Sequence, residues 1–350
     1  MAPALLALIG GAWLGLVRLG WPLPLPWPEQ LIAHGPLMTG GFLGTLIGLE
    51  RAIAFGRWWA YGAPVFTGAA AIALLLSLGD TAAPTGMTLG SGLLTAASLV
   101  LWRRFRSLGL ALMTLAAAAW TTGNAWWLAR GSVSHAAWWW LGFLVLTIAG
   151  ERLELSRLLA PRPAVQRAFL AFAGVVLTGI ALTAGWPELG ARVLGTGLVG
   201  LAGWLARYDV ARRSLRRPGQ SRYIALCLLA AYAWLAIGGA LAAATGAALP
   251  GPRRDALLHA IFLGFALSMV FGHAPVVLPA VLERPVPFRR SFYVPLVLLH
   301  ASLVIRVTGD LSDLLARWRA WGGLLNAVAL LAFVVHTLWA VRLGSTASSA

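Results

Sequence analysis

The chemistry this sequence can offer rests on its histidines. There are six: His34, His135, His259, His273, His300 and His336. Five of them fall inside long apolar runs, in a chain that is only 11% charged. An imidazole in hydrocarbon is costly, so it faces a bundle interior with a hydrogen-bonding partner or it serves a function. Neutral imidazole is the commonest metal ligand and a usual axial ligand of haem iron. The single cysteine, Cys227, sits within an apolar run, which removes disulfides and cysteine-based metal sites. There is no H-x-x-x-H, no Cys-x-x-Cys-His and no acidic metal motif. Zinc hydrolysis and covalently attached haem are thereby disfavoured, which leaves b-type haem, or copper held by ligands from different helices. Met38 and Met269 lie near these histidines and are read as packing residues.

Those histidines need helices to position them. With 59% hydrophobic residues in 350, the chain carries many apolar runs of the length that spans a bilayer. The fold class expected is all-α: a polytopic membrane protein of about twelve transmembrane helices, forming one integral membrane domain over 1–350. The spans are 4–20, 31–50, 60–79, 86–102, 108–129, 135–151, 168–186, 190–206, 222–247, 255–281, 291–309 and 320–341. Polar or Pro- and Gly-rich connections such as WPLPLPWPEQ and RRSLRRPGQSR separate them. Residues 4–20 read as a first helix and not a cleaved signal, because Arg18 follows the apolar run instead of preceding it.

The net charge of +16 comes from arginine alone; there is no lysine. Most of the arginines lie in alternate short loops, whereas Asp80, Glu188, Asp310 and Asp313 lie in the others. That is a signature of membrane orientation, not of a nucleic-acid face. It predicts a bacterial-type inner membrane location with both termini cytoplasmic, the lipid bilayer as partner and no nucleic acid.

A pattern repeats along the chain. His34 is followed by Gly41-Phe42-Leu43 and then Glu50-Arg51; His135 is followed at the same spacings by Gly142-Phe143-Leu144 and Glu151-Arg152. His259, Gly264-Phe265 and Glu283-Arg284 make a looser third copy. The copies fall on helices 2, 6 and 10, which predicts three four-helix units, roughly 1–103, 104–206 and 207–350, about a pseudo-threefold axis. The Glu-Arg pairs read as ion pairs at helix ends. The alternatives are a proton entry point or a partner for a haem propionate.

Depth sorts the histidines. His34, His135 and His259 start their helices. His273 is fourteen residues past His259, roughly 21 Å deeper and within about 40° of the same face if the helix is α throughout. His273, His300 and His336, on three consecutive helices, are expected to converge as a second cofactor or metal site. His135, beside a loop, reads as interfacial. Arg306 lies inside helix 11 and needs an anion, either a haem propionate or Asp310 one turn on. Gly35, Gly40, Gly41, Gly44 and Gly264 would give a flat macrocycle room, or let helices approach closely.

HGPLM at 34–38 resembles the His-Gly-x-x-Met of helix 2 in subunit I of haem–copper oxidases, a family with twelve helices in three arcs. LLHAIFLGFALSMVFGHAPVV (257–277) and VPLVLLHASLVIRVTGDL (294–311) resemble segments of the NnrS family, haem- and copper-containing membrane proteins of denitrifying bacteria. The first likeness implies axial ligation of a low-spin haem b by His34 and His259. The second implies haem and copper, with electron transfer or the handling of nitric oxide or another diatomic gas. The paired histidines of an oxidase copper centre are missing, so oxygen reduction is not implied. A competing reading is a cofactor-free multi-pass transporter with histidines as proton or substrate relays. Four-helix repeats do not match the inverted halves common among transporters.

Overall fold

The computed structural model describes residues 1–159, 161–247, 250–284 and 286–347. Among these it is helical throughout, with no strand. The helices are α1 (Ala2–Arg18), α2 (Gln30–Phe55), α3 (Trp58–Leu75), α4 (Ala82–Phe105), α5 (Leu108–Arg130) and α6 (Val133–Ser156). They continue with α7 (Pro163–Leu182), α8 (Pro187–Tyr208), α9 (Gln220–Thr245), α10 (Pro252–Val281), α11 (Arg290–Leu311) and α12 (Asp313–Leu343). All but α1 and α5 are counted by length and hydropathy as able to cross a membrane, ten among the described residues.

Local chemistry sets the ends. Ser107 caps α5, its hydroxyl accepting the Leu110 N–H at 3.1 Å. Gly56 and Gly131 close α2 and α5 in the left-handed conformation, at φ 66° and 67°. Proline opens α7, α8 and α10, where a missing N–H costs nothing.

Two helices contain a π-helical segment. Leu37–Gly44 in α2 and Ala260–Leu267 in α10 are π-helical. In α10 the prolines Pro275 and Pro279 lie within continuous helix, so the irregularity falls upstream of them. Hydrogen bonding from i to i+5 winds more residues into each turn. The α-helical rotation that would set His259 and His273 on one face therefore does not apply between them.

The chain forms two compact units, Met1–Glu154 and Leu155–Ala350. This division falls in the last turn of α6. In the first unit, small residues bring helices together. A Cβ on Gly41 would lie 2.9 Å from both Ala7 and Ala71, and one on Gly40 would lie 2.6 Å from Met87 Sδ. One on Gly44 would strike Trp120, whose ring stacks on Phe143 at 4.4 Å. Asn124 is a buried node that accepts from Trp140 Nε1 (2.8 Å) and donates to Met87 O and Ser91 Oγ. In the second unit, Gly195 meets the α9 backbone and Gly322 meets Arg306 of α11. Gly264 sits against Trp234. Between lipid-immersed helices there is little hydrophobic drive, so such close backbone contact and buried polar pairs hold the bundle. The glycines of α2 and α10 other than Gly35 thus face filled space, and the close-packing reading of them holds over the macrocycle reading.

Candidate functional site

His34 is half-buried at the start of α2, and its Nδ1 lies 2.7 Å from the Gly11 carbonyl of α1. A carbonyl can only accept, so Nδ1 carries the proton and Nε2 the lone pair. Gly15 admits the ring; a Cβ there would lie 2.9 Å from its Cε1 and Nδ1. Met38 packs on Gly11, consistent with a packing role.

Three histidines of the second unit have the same tautomer. Nδ1 faces the carbonyl one turn earlier in His259 (Asp255 O, 2.7 Å), His273 (Met269 O, 2.9 Å) and His336 (Ala332 O, 2.7 Å). In each the lone pair is on Nε2, with the ring held by its other nitrogen as metal-ligating histidines are.

His300 differs. Its Nδ1 is 3.0 Å from Trp234 Nε1, and an indole N–H only donates. Its Nδ1 is therefore the acceptor and its Nε2–H points at Ser268 Oγ, 3.4 Å away. Ser268 in turn donates to Cys227 O at 2.9 Å. Both ring nitrogens are engaged within the protein, so His300 is a satisfied interior histidine and not a metal ligand. Among the described residues no three His, Cys, Asp or Glu side chains gather as metal ligands. The shared site expected of His273, His300 and His336 is accordingly not formed. His135 is exposed, hydrogen-bonded to Ser132 Oγ at 2.7 Å and beside the Trp126 ring, as an interfacial residue would be.

Arg306 has the second of its two expected anions. Its Nε lies 3.6 Å from Asp310, and both side chains are nearly inaccessible. The sequence did not suggest what surrounds them. Arg319, on α12, places Nε 2.9 Å from Asp310 Oδ1 and donates from Nη2 to Asp255 Oδ2 at 3.0 Å. The first of these is a charge contact, out of line for a hydrogen bond. Asp255 is also the residue whose carbonyl orients His259. Arg306, Asp310, Arg319, Asp255 and the His259 ring thus form one continuous polar chain at one end of the second unit. The only sequence signal was three charged residues, Asp255, Asp310 and Arg319, at helix ends that alternation puts on the same side.

The Glu-Arg motifs do not pair within themselves alone. Arg51, from the first copy, donates to Glu151 of the second. Residues 1–342 match the sequence profile of a domain of unknown function, DUF8744. The chain belongs to the DUF8744 family. No curated protein matches its sequence.

In this DUF8744 chain the repeat has a backbone counterpart. When Gly41-Phe42 is set on Gly264-Phe265, the π segments 37–44 and 260–267 begin and end in register. Each begins within three residues of its histidine. The second copy, around Gly142-Phe143 in α6, is α-helical throughout.

Proposed function

We propose that this chain is a multi-pass membrane protein that binds haem b, with His34 of the first unit and His259 of the second as the candidate ligands, and that handles electrons or a diatomic gas such as nitric oxide. The observation that carries this reading is the matched treatment of these two residues. Each lies within three residues of a π segment, those two segments are in register on their Gly-Phe pairs, and each has Nδ1–H donated to a main-chain carbonyl. π segments are rare and concentrate at functional sites. The Gly11 and Asp255 carbonyls fix the ring orientation and raise the basicity of Nε2. A haem held by such an imidazole would supply one-electron transfer. Copper, if carried, would fall to His273 or His336, whose rings are held in the same way. The finer arrangement proposed with this is twelve crossings in three four-helix units, in a bacterial-type inner membrane with cytoplasmic termini; the arginine distribution and the register of the π segments support it. The likeness to the NnrS family points the same way.

The test is the absorption spectrum of the purified protein, oxidised and then reduced with dithionite. A Soret band with sharp reduced α and β bands is expected. A featureless spectrum from protein expressed with ample haem would defeat the proposal.

A second reading, cofactor-free transport, has one observation in its favour. The partly buried chain from Arg306 to His259 includes two carboxylates, Asp310 and Asp255, and an imidazole, the residue types that relay protons through membrane proteins. Proton flux in liposomes that vanishes in Asp255→Asn, in a colourless protein, would select it.

A further inference from the structure

The second unit holds a hollow of about 970 Å³ where the chain enters α7 and leaves α8. Five arginines line it: Arg162, Arg207, Arg212, Arg213 and Arg216. One carboxylate, Asp209, faces them, and its Oδ1 already accepts the Ala211 N–H at 2.7 Å. A preference for arginine at one membrane face explains the sign of these residues and the end of the bundle they occupy. It does not explain why two separated stretches of chain line a single cavity with five arginines. Like charges so gathered repel one another, and an anion relieves the repulsion.

The cavity wall is built, not loose. Trp204 Nε1 donates to Val165 O at 2.8 Å, tying the end of α8 to the start of α7. Phe169, Trp204 and Tyr208 pack in series, edge-on and then tilted, with ring centroids 4.7 and 5.5 Å apart. Asp209 fixes the turn that carries Arg212 and Arg213. Leu159, Pro161 and Leu215 add an apolar margin to the charged floor. Planar guanidinium forks match phosphate oxygens in pairs. Arginine-lined pockets beside transmembrane helices are suited to anionic headgroups.

We propose that this hollow is a binding site for a phosphate-bearing anion, a chemistry offered both by an anionic phospholipid headgroup and by a soluble phosphate compound. The site is independent of the histidines and of any haem.

The experiment uses the full-length protein in a neutral detergent with two arms. One titrates cardiolipin against phosphatidylcholine and reads bound lipid by native mass spectrometry. The other titrates pyrophosphate by calorimetry. Binding in either arm supports the site, and the arm that responds, lipid or soluble, identifies the source. The triple variant R207Q/R212Q/R213Q is expected to bind about tenfold more weakly or worse. The control R103Q/R104Q/R106Q removes as much charge at the end of α4, where two of the arginines lie on the faces of Phe105 and Trp102, and should bind as wild type does. Circular dichroism and the charge-retaining R207K/R212K/R213K, expected to keep most of the binding, guard against misfolding. Binding in neither arm, undiminished binding in the glutamine triple, or an equal loss in the control would overturn the proposal.

Discussion

Arg51 and Glu151 are a hundred residues apart in the chain and form an ion pair, one supplied by each of the first two copies of the repeated motif. Their side chains are 17% and 24% exposed, so the pair sits at the edge of the unit, neither buried nor fully wet. It joins the ends of α2 and α6 inside the first unit. Either Arg51→Gln or Glu151→Gln should destabilise the unit by about 1 kcal/mol, as expected for a partly exposed pair. The exchanged double variant R51E/E151R should recover most of the loss in a detergent thermal melt. No recovery would mean that the two residues act through other neighbours.

The two axial candidates should behave alike. His34→Ala and His259→Ala are each expected to abolish the reduced α-band and most of the bound haem, while His135→Ala, at an exposed loop edge, keeps both. Pyridine haemochrome assay of purified variants gives the haem per protein directly. Wild-type content in both alanine variants would exclude them as ligands.

His300 should matter for stability and not for cofactor content. Removing it leaves the Trp234 indole N–H and the Ser268 hydroxyl short of a partner in a buried place, a loss of about 1–3 kcal/mol. His300→Ala should therefore melt earlier with its haem and metal analysis unchanged per folded molecule. Loss of metal at full stability would contradict the assignment.

Asp310 balances two arginines, and its side chain is inaccessible to solvent. Replacement by asparagine takes this carboxylate from Arg306 and leaves Arg319 with Asp255, at a cost of about 3–5 kcal/mol for a broken buried pair. Low yield and rapid proteolysis are expected of Asp310→Asn, against normal behaviour of Asp313→Asn, an exposed residue three positions on. Equal yields of the two would show that the arginines find other anions.

Gly44 and Gly92 make a matched pair. A methyl on Gly44 collides with Trp120; one on Gly92 meets nothing within 4 Å. Gly44→Ala should destabilise by about 1–3 kcal/mol through overpacking. Gly92→Ala should be neutral or stabilising by up to about 1 kcal/mol, the helix propensity gained. Thermal melts of both, side by side, check the contrast.

The helices were plain in the sequence because lipid-spanning runs are long, apolar and separated by arginine, glycine and proline; each expected segment overlaps a helix, ten of which are long and apolar enough to cross a membrane, with ends that differ by up to seven residues. The partners of the charged groups were not plain. Arg51 and Glu151, or Asp255 and Arg319, meet across helices, and spacing along one helix says nothing about that. The π segments escaped for a related reason. Leu37–Gly44 is almost wholly buried, so no polar stripe marks its winding, and a reading at 3.6 residues per turn passes straight through it. His300 looked like a ligand because its histidine neighbours in sequence were counted and Trp234, two helices earlier, was not. The five arginines of the hollow were visible one by one as a topological signal; only the fold shows that they share a cavity.

Arg306 and Asp310 lie one turn apart on the same helix. The order in which this protein is made gives that spacing a meaning. A helix that carries a lone arginine into the bilayer must wait for a counter-charge from elsewhere, whereas α11 brings its own and can enter the membrane as a neutral segment. Arg319 follows on the next helix to be synthesised and closes on a pair already in place. The last two helices are thus suited to insert as a hairpin, with Asp255 of the preceding α10 already made to receive Arg319.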